Sequence, residues 1–158
     1  MKTLGIAPSL LRHTPRHVYG LALPDLDAFP DRLAIDSPCC VLLLAADFVA
    51  RPGHRDRLCR RIVDAGCVYF CAWGPGCEQM HDWLDGYIVE REIEGHPEMN
   101  ICTTWHSADS LADTVEYAVV FAEPADEYAA GCGSVVLVSV GEADWSAQVE
   151  RAAARHVL

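Results

Sequence analysis

The stretch from residue 67 to residue 85, CVYFCAWGPGCEQMHDWLD, decides the fold. It opens with the apolar and aromatic run 67–73, which has the composition of a strand buried on both faces of a sheet. A Gly-Pro-Gly turn at 74–76 follows, and the residues from there to Asp85 have a helical pattern. We therefore predict a strand, a tight turn and a helix, and we expect Gly86 to end that helix.

The same unit recurs along the chain. Apolar runs at 39–46, 100–105 and 134–140 are each followed by a segment with helical periodicity. Strands that alternate with helices of about 10–15 residues indicate βαβ units and a parallel sheet. We predict a three-layer α/β/α domain with a mostly parallel sheet of about four or five strands.

The N-terminal part has a weaker pattern. We expect residues 1–37 to form an extension packed on the domain, with an additional strand at 18–23, at an edge of the sheet, and a short helix at 24–30. Residues 86–98 are compatible with either a strand or a loop. No linker or repeat divides the chain, and its length is typical of one domain, so we predict a single domain over 1–158.

Charge limits the possible partners. Twelve basic residues against 23 acidic ones give a net charge of −11, which opposes binding to nucleic acids and anionic membranes. No apolar run reaches the roughly 18–20 residues of a membrane helix. The segment 51–61 holds five arginines against Asp56 alone, and it is either a docking face for an acidic patch or a solvated helix face. We expect a protein partner, and the oligomeric state stays open.

The cysteines indicate the compartment. Eight cysteines would suggest disulfides in a secreted protein, but the start of the chain carries no clear secretory signal. Several cysteines lie inside apolar runs, where a free thiol behaves as a small hydrophobic group. We therefore expect a reducing cytoplasm and mostly unpaired thiols.

Strand ends are where a site is expected. In open α/β sheets, ligands bind beyond the carboxyl ends of the strands. Glycines at such a turn let a ligand approach the backbone closely, and indoles form an aromatic wall or cap the core. The binding residues selected in this way are Asp47, Trp73, Gly74, Gly76 and Trp105.

Cys77 is the candidate for chemistry. It follows the turn and starts a helix, whose N-terminal N–H groups and dipole stabilise a thiolate. His106 leaves the next predicted strand, and Asp82 or Asp85 on the Cys77 helix could orient its imidazole. Cys77, His106 and Asp82 are therefore the candidates for nucleophile, base and orienting acid. Acyl or thioester transfer would be their natural chemistry. The alternative is that Cys77 packs against Trp73 while His106 bonds to the backbone.

A metal site is a further alternative. Cys77 and His81 are four residues apart, and Cys71 or His106 would complete a thiolate–imidazole set. Cys71 lies within an apolar run, however, and there is no C-x-x-C knuckle, so we expect neither a metal nor a cofactor. The chain also lacks G-x-G-x-x-G after a strand, the P-loop and G-x-S-x-G, which disfavours dinucleotide enzymes, P-loop NTPases and serine hydrolases.

Two segments carry a resemblance. AWGPGCEQMHDWLD at 72–85 and TTWHSADSL at 103–111 resemble a family of small bacterial proteins of unknown function with A-W-G-x-x-C and T-T-W-H motifs. The resemblance implies a bacterial cytoplasmic protein and marks Trp73, Cys77 and His106, with Trp105, as positions of interest. It implies no reaction.

Two functions follow from the sequence. The first is a non-catalytic accessory or partner-binding protein that uses its acidic surface or the strand-end pocket. The second is a thiol-dependent transferase or hydrolase with Cys77 as the nucleophile. We expect the first, since no motif specific to an enzyme family surrounds Cys77.

Overall fold

A six-stranded sheet forms the centre of the molecule. The computed structural model describes residues 1–8 and 15–158. The strand order is β1-β2-β6-β3-β4-β5; β1 is antiparallel to β2 and the other neighbours are parallel. The predicted α/β class is confirmed, with six strands rather than four or five. The strands are β1 (Lys2–Ala7), β2 (Arg16–Leu23), β3 (Cys40–Ala45), β4 (Cys67–Trp73), β5 (Cys102–Trp105) and β6 (Ser134–Val140).

Helices cover both faces of the sheet. One face packs under α1 and α2, and the other packs under α3 and α5. Among the described residues, no helix has the length and apolar composition of a membrane-spanning segment. The helices are α1 (Arg55–Asp64), α2 (Cys77–Ile93), α3 (Leu111–Glu116), which continues as a π-helical turn (Tyr117–Phe121), α4 (Asp126–Ala129) and α5 (Ala143–Ala153).

The middle strands are apolar throughout because both of their faces are covered. All six residues of β3 are buried, as are all seven of β6. Alternate side chains of a strand point to opposite faces. Leu42 and Leu44 of β3 accordingly join the cluster under α1 and α2, whereas Val41 and Leu43 join the cluster under α3 and α5.

The N-terminal part adds two strands to the sheet. β2 confirms the strand predicted at 18–23, but it is not an edge strand, because β1 pairs with its outer side. β1 escaped prediction because an edge strand is only partly buried and has no continuous apolar run. The helix predicted at 24–30 is one 3₁₀ turn, Leu26–Ala28. Residues 9–14 of the predicted extension lie outside the described residues.

The predicted end of α2 at Gly86 is wrong. The helix runs on to Ile93 because its buried face continues across the glycine with Met80, Leu84 and Ile88. A Cβ added at Gly86 would meet no atom within 4 Å, so the glycine lies on the open side of the helix. A glycine inside a helix costs about 1 kcal/mol relative to alanine, and burial of the apolar side chains outweighs this cost.

The true end of α2 has a glycine stop. Gly95 has a φ of +90°, and the N–H of His96 donates to the carbonyl of Arg91 at 3.0 Å. This is the 6→1 bond of a Schellman motif, which closes a helix at a left-handed glycine. The ambiguous segment 86–98 is therefore the last two turns of a helix followed by a turn.

Candidate functional site

A cavity lies at the carboxyl ends of β4 and β5. It has a volume of about 440 Å³ and is open to solvent on one side. Its position agrees with the rule for ligand sites in parallel sheets. Its walls come from the turn after β4, the start of α2 and the loop after β5, and they are Trp73, Gly74, Pro75, Gly76, Cys77, Glu78, His106, Ser107 and Asp109.

The two glycines of the turn are needed for packing within the chain. Gly74 has a φ of +110°, and a Cβ at this position would collide with the carbonyl oxygen of Ala46. Gly76 has a φ of +76°, and its Cβ would press on Phe48 and Val49. The close approach that we expected for a ligand is thus made by the loop after β3, and this contact fixes the floor of the cavity.

His106 is held at both ring nitrogens. Its Nδ1 lies 2.8 Å from Oδ2 of Asp109, and its Nε2 lies 3.1 Å from the hydroxyl oxygen of Thr104. A carboxylate only accepts, so Nδ1 carries the proton in that bond. The imidazole is 8% exposed. Because both of its nitrogens take part in these bonds, no free nitrogen faces the cavity.

Asp82 does not orient His106. Oδ1 of Asp82 lies 3.0 Å from Nδ1 of His81, on the outer surface of α2. His81 also has Asp85 at 3.5 Å from its Nε2. The prediction placed the acid on the helix that carries Cys77, whereas the carboxylate that contacts His106 is Asp109, three residues later in the same loop.

Cys77 and His106 line one cavity but are not bonded to each other. The Cys77 side chain is 1% exposed and belongs to the cluster under α1 and α2. The ring of His106 packs 4.8 Å from that of Tyr117, which lies against the cluster on the other face of the sheet. In the part of the chain that the structure describes, no hydrogen bond joins the Cys77 thiol to an imidazole. The thiol-dependent alternative therefore lacks its nucleophile–base contact in this structure.

Only one of the two predicted tryptophans lines the cavity. Trp73 donates its indole N–H to the carbonyl of Asp109 at 2.9 Å, and its ring meets Trp145 edge-on at 5.3 Å. Trp105 is 43% exposed and packs on His81 at 4.6 Å. Trp105 of β5 pairs with Ala72 of β4, so Trp73 lies one residue beyond the partner of Trp105. Neighbouring positions of a strand point to opposite faces, and the two indoles therefore lie on opposite faces of the sheet.

Asp47 has a structural role at the end of β3. Its Oδ1 accepts from the backbone N–H groups of Val49 at 3.0 Å and Ala50 at 2.8 Å. This is the local turn that aspartate commonly stabilises after a strand. The residue therefore shapes the loop beneath Gly76 and is not among the residues that line the cavity.

The metal alternative has no support from the arrangement of the side chains. Cys71 lies in the cluster under α3 and α5, on the opposite face of the sheet from Cys77. Within residues 1–8 and 15–158, no group of three or more His, Cys, Asp or Glu side chains is placed to hold a metal ion.

The basic segment 51–61 is partly neutralised within the chain. Arg61 bonds to Asp31 at 2.7 Å, Arg51 lies 3.8 Å from Glu142, and Arg55 bonds to Asp56 at 3.0 Å. These pairs reduce the local positive charge that the sequence displays. They agree better with a solvated helix face than with a docking face.

The walls of the cavity are acidic. Glu78 and Asp109 contribute carboxylates, Trp73 contributes an indole, and the described lining contains no lysine or arginine. Sequence reasoning missed both acids as site residues. The available signal was position, since Glu78 follows Cys77 in the first turn of α2 and Asp109 lies three residues after His106.

Comparison with known proteins identifies a family whose function is unknown. Neither the curated proteins nor the solved structures contain a match to this chain. The family model DUF7684, described as a domain of unknown function, matches residues 18–156. The match covers most of the chain, which therefore belongs to this family of unknown function.

Proposed function

We propose that this chain is a non-catalytic binding protein of the bacterial cytoplasm that holds a basic group of a protein partner in the strand-end cavity. The observation that carries the proposal is the composition of the cavity walls. They offer the carboxylates of Glu78 and Asp109 beside the indole of Trp73. Carboxylates pair with ammonium and guanidinium groups, and the face of an indole attracts cations.

The state of His106 supports binding over catalysis. In the thiol-dependent alternative, the base needs a nitrogen within reach of the proton of the Cys77 thiol. Both nitrogens of His106 are bonded to Thr104 and Asp109, and the Cys77 thiol is packed into the core. The imidazole therefore holds the loop after β5 in place, and the same bond orients the Asp109 carboxylate.

The overall charge supports a basic partner. A net charge of −11 attracts cationic proteins and speeds their encounter, and it repels nucleic acids. The reducing cytoplasm expected from the cysteine pattern fits eight thiols of which none is joined in a disulfide.

The first test is a binding titration with a charge-matched control. The probe is a fluorescently labelled hexa-arginine peptide, with anisotropy measured at about 50 mM salt to limit screening. The double variant Glu78→Gln/Asp109→Asn removes two charges from the cavity and leaves Asp109 an oxygen for His106. Glu94→Gln/Glu98→Gln removes the same charge beyond the other end of α2, about 25 Å away.

The cavity variant should bind the peptide about tenfold more weakly, because each carboxylate of a partly exposed pair contributes about 0.5–1 kcal/mol. The distal variant should stay within about twofold of the wild type. Equal losses in both variants would mean that the peptide senses only net charge, which would contradict the proposal. Cys77→Ser should leave the affinity unchanged.

A further inference from the structure

Two cysteines lie close together at the amino ends of the central strands, at the opposite end of the strands from the cavity described above. Cys39 precedes β3 and Cys132 lies just before β6, two strands that pair in parallel. Both residues belong to the cluster under α3 and α5, and the Cys39 sulfur lies 3.6 Å from where a Cβ would stand at Gly131, the neighbour of Cys132. The carbonyl of Tyr128 fixes both residues, since it accepts from the Cys39 thiol at 3.9 Å and from the Cys132 backbone N–H at 2.9 Å.

A second cavity gives access to this pair. It has a volume of about 390 Å³ and an apolar lining that includes Cys39, Met99 and Ile101. Cys39 is 8% exposed and Cys132 is 2% exposed. A reagent that enters the cavity therefore meets Cys39, whereas Cys132 is not among the residues that line it.

We propose that Cys39 and Cys132 form a covalent-modification site that small organic disulfides convert into an intramolecular disulfide. In the first step the Cys39 thiolate attacks one sulfur of the reagent, whose S–S bond breaks and releases one thiolate that takes up a proton. In the second step the Cys132 thiolate attacks the Cys39 sulfur and releases the second half of the reagent as a thiol. The two protein thiols are oxidised, and the reagent is reduced to two thiols.

The surroundings of the pair set its rate. Burial raises the pKa of the Cys39 thiol, and the nearby Cys132 side chain and the charge of Arg16 partly offset this. Arg16 is itself buried and donates to the Cys132 carbonyl at 3.0 Å. Because the thiolate is the attacking species, the reaction is slow at neutral pH and speeds up as the pH rises.

The disulfide would tie the amino ends of β3 and β6 together. It closes a loop of about 90 residues, and a cross-link of that length restricts the unfolded chain strongly. It lies at the amino ends of the strands, whereas Glu78 and Asp109 lie beyond their carboxyl ends, so peptide binding in the strand-end cavity should not change. The result of the cross-linking test is therefore independent of whether a basic peptide binds in the strand-end cavity.

The test treats the reduced, full-length protein with 2-hydroxyethyl disulfide at pH 8.5, with excess reagent removed before mass spectrometry. The expected product has a mass lower by two hydrogen atoms, and its peptide map joins the Cys39 peptide to the Cys132 peptide. Its Tm should rise by about 5 °C or more and return to the starting value after reduction. A map that joins Cys40 to Cys67, or a folded protein that forms no cross-link, would overturn the proposal.

Single variants separate the two steps. Cys132→Ser should stop at the mixed disulfide, with one reagent half on Cys39, and Cys39→Ser should form neither product. Cys59→Ser is the matched control, because Cys59 lies in α1 and is buried on the opposite face of the sheet from the pair. This variant should react like the wild type. If Cys132→Ser does not fold, the peptide map of the wild type still decides the matter. Cross-linking in Cys39→Ser at the wild-type rate would also overturn the proposal.

Discussion

The same substitution at two glycines should have opposite effects. Gly74→Ala places a Cβ against the carbonyl oxygen of Ala46 at a residue whose φ is +110°. Gly86→Ala places a Cβ in open space within the regular helix α2. The pair tests whether the turn below the cavity is fixed by backbone contact, because the chemical change is identical in both variants.

The magnitudes follow from these surroundings. An alanine at a strongly positive φ costs about 1–3 kcal/mol. The collision with a backbone oxygen cannot be relieved by a side-chain rotation, and the N–H of Ala46 bonds to the carbonyl of Trp73 at 3.1 Å. Moving that strand end weakens this hydrogen bond by about another 1 kcal/mol. Gly74→Ala should lose about 3 kcal/mol in total, whereas Gly86→Ala should gain about 0.5–1 kcal/mol.

The assay is urea unfolding followed by circular dichroism, with thermal unfolding as a second readout. A change of 1 kcal/mol corresponds to a shift in Tm of roughly 2–4 °C for a chain of this size. If Gly74→Ala lies within about 1 kcal/mol of the wild type, the turn accommodates a side chain and the account of the cavity floor is wrong. A destabilised Gly86→Ala would contradict the placement of that residue on the open side of α2.

Three further predictions concern the core and the thiols. Leu84→Ala should lower the free energy of unfolding by about 2–5 kcal/mol in urea titrations, because this side chain lies fully buried on the inner face of α2. Burial raises the pKa of the Cys59 and Cys71 thiols to about 12. Above about pH 9, therefore, the unfolded chain loses these protons while the folded chain keeps them. Urea titrations under reductant should show the free energy of unfolding falling by about 1.4 kcal/mol per pH unit for each thiol. A flat profile between about pH 8 and 10 would contradict this. In native protein, iodoacetamide should modify the half-buried Cys102 before the buried Cys77, as peptide mapping would show.

The strands that are buried on both faces could be predicted, because burial on both sides requires a continuous apolar run. The runs at 39–46, 67–73 and 134–140 became the three strands β3, β4 and β6. β1 could not be predicted in this way, since only one of its six residues is buried and its pairing depends on β2. The predicted end of α2 at Gly86 was wrong because the apolar spacing of Met80, Leu84 and Ile88 continues the buried face of the helix past this glycine.

The site could be placed but its contacts could not. The strand-end rule located the cavity with Trp73 and His106 in its walls. The partners of His106 depend on the path of the loop after β5, and the face of Trp105 depends on a one-residue offset in register. Neither property is encoded in the residue types alone. Asp82 was predicted from its place on the Cys77 helix, whereas the contact of Asp109 with His106 depends on the path of the loop that carries both residues.

The central claim is that a basic group binds in the strand-end cavity, and an amide-resolved NMR titration with hexa-arginine tests it most directly. The account predicts saturable shifts at the Trp73 indole N–H and the backbone amides of Gly74, Gly76 and Ser107, which all line the cavity. The same titration of Glu78→Gln/Asp109→Asn should show weaker shifts at these positions. Shifts spread evenly over the acidic surface, with these amides unmoved, would contradict the account.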